Sequence, residues 1–97
     1  MAVLMMLEWE GVTPAQYDAV RQHVGWETNK PEGGMFHVAA FGPKGLRVVD
    51  VWESAELFQR FVETRLMPGT QAVGIPGQPK TEILPTHAIF TPAYRPA

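Results

Sequence analysis

His37 and Asp50 stand at equal distances on either side of Gly42-Pro43-Lys44-Gly45, a tight turn joining two β-rich runs, Met35–Phe41 and Leu46–Trp52. If Pro43 and Lys44 are the two central residues of that turn, antiparallel pairing places Ala39 opposite Val48, His37 opposite Asp50 and Met35 opposite Trp52. Directly opposed residues share one face of the sheet with Cβ atoms roughly 4.5–5.5 Å apart. His37 and Asp50 are therefore expected to hydrogen-bond on an otherwise apolar surface, with Trp52 beside them. An imidazole held by a carboxylate has a fixed tautomer and a raised basicity, which is the minimum equipment of a general base. Such a base takes a phenolic or α-carbonyl proton, and the resulting anion reacts with oxygen or is reprotonated elsewhere. A second reading stands beside this one. Two polar residues facing each other in a buried sheet can simply satisfy one another and fix the register. A turn one residue longer would put them on opposite faces.

Other side chains are candidates for the walls of a site. Tyr17 can offer a hydroxyl to a ligand, though its place in the first helix also suits packing. Trp26 opens the loop after that helix, as a cap over a pocket mouth or as an anchor for the loop. Trp9 at the end of the first strand and Phe61 on the second helix can line the same cavity or fill the core. His87, two residues beyond Pro85, is expected near the pocket or a subunit seam. His23 falls near a helix C-terminus, where the dipole favours a cation, and reads as surface. Arg47 reads as solvated or paired across the sheet.

The absences narrow the chemistry. Ser54 is the only serine and lies outside any G-x-S-x-G, so there is no esterase elbow. Gly69 and Gly74 have phosphate-loop spacing, but Ile75-Pro76 follows where Lys-Ser/Thr would be needed. No H-E-x-x-H occurs and the three histidines are scattered, so the sequence supports neither a metal site nor a cofactor. Without cysteine there are no disulfides or thiol nucleophiles, which fits a cytoplasmic location. Ten acidic against eight basic residues argue against nucleic acid as a partner. Met1–Leu7 is apolar but short, lacks a basic leader and runs into Glu8, so it reads as neither signal peptide nor membrane span.

The elements that must position these residues have clear boundaries. Thr13 is an N-cap with Pro14 at the first helical position and Gln16 placed to close a capping box; Val12 and Tyr17 are spaced as a hydrophobic staple. Tyr17, Val20 and Val24 make the apolar stripe, and Gly25 ends the helix. Ser54 caps a second helix whose apolar face holds Leu57, Phe58, Phe61, Val62 and Leu66, with Pro68-Gly69 expected to kink or end it and a short turn following to Val73. The predicted order is strand (about 2–10), helix (13–24), strand (35–42), strand (45–53), helix (54–67) and strand (80–90). With 97 residues this is one domain, 1–97, ending in a Pro-rich tail at 91–97. The order βαββαβ is the ferredoxin-like one, an α+β fold with a four-stranded antiparallel sheet and both helices on one face.

The strands do not alternate as a half-wetted sheet requires. Ala2–Leu7 and most of Phe36–Phe41 are apolar on both faces, and Val48, Val49 and Val51, then Ile83, Leu84, Ala88, Ile89 and Phe90, continue the pattern. Two helices cover one face, and a second copy of the sheet is the simplest cover for the other, so a face-to-face homodimer is expected. Pro85 marks the last strand as an edge strand that bends, its far half reaching over the partner or simply fraying.

These residues resemble a family. The element order, the doubly apolar sheet, and Asp50-Val51-Trp52-Glu53-Ser54 between the third strand and second helix are similar to the dimeric α/β-barrel superfamily, and within it to antibiotic-biosynthesis-monooxygenase-like proteins. The resemblance implies a barrel-forming dimer and a pocket for a small hydrophobic or aromatic molecule, with Trp52 as a wall. It also covers haem-degrading members, which use an asparagine on the first strand and a histidine on the second helix. Met5 and Val62 occupy those places here, which disfavours haem. The leading expectation is a cofactor-independent monooxygenase or isomerase with His37 and Asp50 as its base. The alternative is a non-catalytic ligand-binding or oligomerising module.

Overall fold

A computed structural model of the chain describes residues 1–93, so residues 94–97 of the Pro-rich tail lie outside the described residues. The elements are β1 (Val3–Glu10), α1 (Pro14–Val24), β2 (Gly34–Gly42), β3 (Gly45–Trp52), α2 (Ala55–Phe61), a π turn (Val62–Leu66), α3 (Met67–Val73) and β4 (Lys80–Pro85). The strands form one antiparallel sheet in the order β2-β3-β1-β4, the ferredoxin-like arrangement.

Local chemistry accounts for the helix starts. At α1, Thr13 Oγ1 accepts from the Gln16 N–H at 3.2 Å while Gln16 Oε1 accepts from the Thr13 N–H at 3.0 Å. At α2, Ser54 Oγ accepts from the Leu57 N–H at 3.2 Å. The short stretch of helix expected up to Val73 is present as α3. A π turn intervenes after α2, in which the Met67 N–H reaches the Val62 carbonyl, and helix then runs on to Val73. Pro68 is the second residue of α3, in the first turn of helix after the π turn, where its missing N–H is tolerated. Gly69 brings this last turn against α1: a Cβ there would sit 2.5 Å from Val24 Cγ2.

The core forms where both helices meet the inner face of the sheet. Val3, Met5 and Leu7 of β1 and Leu46, Val48 and Trp52 of β3 pack with Val12, Phe58 and Phe61. Met5 is 2% exposed, whereas its chain neighbour Met6, pointing the other way, is 36% exposed. On that outer face the register sets side chains in rows across the sheet. Phe36, Val51, Leu4 and Leu84 make one row; Val38, Val49, Met6 and Glu82 make the next; Ala40, Arg47, Glu8 and Lys80 make a third. Two rows are thus mostly apolar and the third is charged, with Arg47 Nη2 pairing to Glu8 Oε1 at 3.1 Å.

Two expectations need correction. Met35 does not oppose Trp52, because a β-bulge between Gly34 and Phe36 puts Gly34 there instead. The turn sets the register from one end of the hairpin. From the other end, Gly33 is held by its carbonyl on the Glu53 N–H at 2.8 Å, with no room for a Cβ beside Leu57. The two constraints differ by one residue, and Met35 is the residue squeezed out. The last strand is an edge strand but ends at Pro85 rather than continuing to Phe90. Pro85 pairs with Val3, the first residue of β1, and after one further bond from the Thr86 N–H to the Ala2 carbonyl no strand remains to pair with.

Candidate active site

The hairpin places His37 directly opposite Asp50, as the turn spacing predicts. His37 Nδ1 lies 2.6 Å from Asp50 Oδ1, and the Trp52 indole N–H donates to Asp50 Oδ2 at 3.0 Å. Asp50 itself is 6% exposed, so its charge is compensated by these two donors instead of water. An ionised carboxylate only accepts, so Nδ1 carries the hydrogen, and in the neutral ring Nε2 is the acceptor. Tyr17 on α1 supplies the matching donor: its Oη is 2.7 Å from His37 Nε2, with the two rings within 4° of parallel. The result is a continuous chain from the Trp52 indole through Asp50 and His37 to the Tyr17 hydroxyl.

Aromatic edges hold this chain in place. Trp26 meets Tyr17 and His37 edge-on, with ring centroids 5.9 and 5.4 Å away, and Phe41 meets Tyr17 from another side at 6.1 Å. Trp52 is braced by Phe58 and Phe61 at 5.5 and 5.3 Å. Trp26 is tied down in turn by its neighbour Glu27, whose carboxylate accepts from Arg21 Nε and, at 2.7 Å, from Nη2. That fork holds the Glu27 carboxyl below the usual range. Arg65 donates to the carbonyls of Val24 at 3.0 Å and Asn29 at 2.7 Å, fastening the same loop to the π turn. Burial raises the Tyr17 phenol above its ordinary value, outweighing the opposing pull of Arg21.

Between sheet and helices lies a cavity of about 410 Å³, within the range of small-molecule sites. Tyr17, His37, Asp50, Trp52, Trp26, Phe61 and Trp9 all line it. Trp9 also has a structural task, donating its indole N–H to the Pro76 carbonyl at 3.0 Å and so pinning the loop before β4. His87 is not among the lining residues; it is exposed in the segment beyond β4, because the strand that would have carried it inward ends at Pro85. Glu27, Lys30 and Thr70 line the cavity without having been singled out from the sequence. They come from a loop and from helix beyond the π turn, where no periodicity marks a face. Among the described residues no group of three His, Cys, Asp or Glu is placed to hold a metal ion, and no helix is long and apolar enough to cross a membrane.

The fold and cavity define a class, a ferredoxin-like α+β domain with an apolar pocket under its helices. Solved structures of antibiotic-biosynthesis-monooxygenase-like proteins share that fold. SnoaB from Streptomyces nogalater, a cofactor-independent oxygenase, superposes with a TM-score of 0.63 at 13% identity, over 91% of this chain and 94% of that one. NE2512 from Nitrosomonas europaea, of unknown function, gives 0.61 at 19% over 95% and 94%. The ActVA-Orf6 monooxygenase of Streptomyces coelicolor, in complex with nanaomycin D, gives 0.52 at 20% over 93% and 91%. No family profile and no curated protein sequence matches the chain.

Proposed function

We propose that this protein binds a small aromatic or hydrophobic molecule in the cavity and removes a proton from it, with His37 as general base and Asp50 as its partner. The observation that carries this reading is the 2.6 Å contact between His37 Nδ1 and the buried Asp50, in the wall of an otherwise mainly apolar cavity. Asp50 fixes the tautomer and stabilises the imidazolium formed on proton transfer. The chemistry is of the cofactor-independent monooxygenase or isomerase type. In the oxygenase case an activated CH₂ is deprotonated and the anion reacts with O₂. One oxygen atom ends in the new carbonyl, and the other leaves as water with the two displaced hydrogens. In the isomerase case the anion is reprotonated at another carbon.

The working form is a homodimer joined through the outer face of the sheet. The two apolar rows cross all four strands on that face, and the charged row of Arg47, Glu8 and Lys80 borders them. Val38 is 46% exposed and Leu84 42%, a continuous greasy surface of the kind that a second sheet covers.

The alternative, a binding module without catalysis, draws on one observation: Tyr17 occupies His37 Nε2, so the polar chain is internally satisfied. Anaerobic hydrogen–deuterium exchange at the α-carbon of 2-tetralone in D₂O separates the two. A base predicts exchange well above the buffer rate that His37→Gln removes while the variant still quenches tryptophan fluorescence on binding. Binding without exchange would overturn the base. Oxygen uptake with the same probe then distinguishes oxygenase from isomerase chemistry.

A further inference from the structure

We infer that the hydroxyl of Tyr17 is the group that meets the substrate's acidic hydrogen, and that His37 acts on the substrate through it. This rests on the general-base reading and changes which atom does the work.

Both nitrogens of His37 are committed, Nδ1 to Asp50 at 2.6 Å and Nε2 to Tyr17 at 2.7 Å, and the edge of Trp26 closes one side of the ring. An imidazole so placed has no lone pair to offer a ligand. The Tyr17 oxygen does: a hydroxyl that donates one hydrogen can still accept, and Tyr17 lines the cavity. The chain also has a direction. The side chain of Asp50 is 9% exposed and that of His37 35%, so along the cavity wall the chain runs from a buried carboxylate to a more exposed imidazole and ends on the Tyr17 hydroxyl.

The proton moves in two linked transfers. The substrate's C–H or O–H bond breaks and its hydrogen joins Tyr17 Oη. The hydrogen already on Oη passes to His37 Nε2. Tyr17 ends as it began, His37 becomes imidazolium against the Asp50 carboxylate, and the substrate carries the negative charge. The indole N–H of Trp52, a buried donor in the wall, is already given to Asp50 and does not serve the substrate anion. Conjugation to an aromatic ring would spread that charge, and Lys30 is the cation among the residues lining the cavity.

Tyr17→Phe in the full chain is the test, since it deletes one oxygen and keeps the ring between Trp26 and Phe41. The expected result is a fall of about a hundredfold in 2-tetralone exchange. Affinity for the probe, read by tryptophan quenching, stays near the wild-type value, and ¹⁵N spectra still show the Nδ1–H tautomer of His37. Exchange at the wild-type rate or faster would overturn the inference, because it would mean that His37, once uncovered, works directly. That outcome leaves the base itself standing, whereas a wild-type protein that binds the probe without exchanging it removes both. Should the phenylalanine variant unfold, difluorotyrosine placed at Tyr17 preserves packing and the hydroxyl while making the phenol more acidic. The exchange rate must then change; an unchanged rate counts against the inference.

Discussion

The indole N–H of Trp52 donates to Oδ2 of Asp50 across 3.0 Å, although the two residues share one strand and are separated only by Val51. Side chains two apart on a strand point to the same face, so the indole sits beside the carboxylate and leaves Oδ1 aimed at His37. Trp52→Phe retains an aromatic ring against Phe58 and Phe61 but strips a buried carboxylate oxygen of its donor. The expected loss is about 1–3 kcal/mol in stability, read by denaturant unfolding. An unchanged midpoint would mean that the indole bond contributes nothing.

Asp50→Asn keeps the shape of the side chain and changes what it can offer His37. An amide can present its N–H to Nδ1 and so drive the hydrogen to Nε2, where Tyr17 then has to accept. Exchange of 2-tetralone is expected to fall about 10²–10⁴-fold. The ¹⁵N spectrum of the imidazole reports whether the tautomer has reversed, and a variant that keeps both wild-type tautomer and rate would rule out the role given to Asp50.

Val49 lies between Val38 and Met6 in the apolar row of the outer face and is 40% exposed. Val49→Asp is expected to give a folded monomer in sedimentation, because the core is on the other side of the sheet. The wild type should have twice that mass at micromolar concentration. A wild-type mass of one chain would remove the dimer.

Burial lifts the Tyr17 phenol above its ordinary value. As pH climbs, the unfolded chain therefore loses this proton first. The stability linked to it is complete below about pH 10, declines above that, and is lost once the folded phenol itself ionises. The chain has two tyrosines, so a tyrosinate absorbance titration of Tyr17→Phe against wild type isolates the residue. The step missing from the variant should lie above the ordinary tyrosine range.

Gly69→Ala tests the approach of α3 to α1. In an exposed helix this change would gain up to about 1 kcal/mol. Here the added methyl meets Val24 Cγ2 at 2.5 Å and overpacking is expected to cost about 1–3 kcal/mol, a net loss of stability seen as a lower melting temperature.

Much of this architecture is legible along the chain because it is decided within a few residues. Thr13 with Gln16, and Ser54 with the N–H three residues on, start their helices through bonds that span one turn. The turn at Gly42–Gly45 sets the hairpin register, and so brings His37 to Asp50 five pairs away. Doubly apolar strands likewise imply an inner and an outer greasy face, both of which are present.

What the tertiary structure alone decided lies across layers or between competing constraints. Tyr17 reads locally as a staple residue, and nothing in its neighbourhood names His37; the pair exists because α1 crosses the sheet at one particular height. Met35 was displaced from Trp52 when the hold of Gly33 on the start of the second helix met a register set at the far end of the hairpin. Beyond Pro85 the chain is apolar enough for a strand, yet a strand also needs a neighbour, and β1 has already begun. Capping, turn geometry and periodicity are short-range and leave their mark in residue types. The height of a helix over a sheet is set by many weak contacts at once, and no single residue records it.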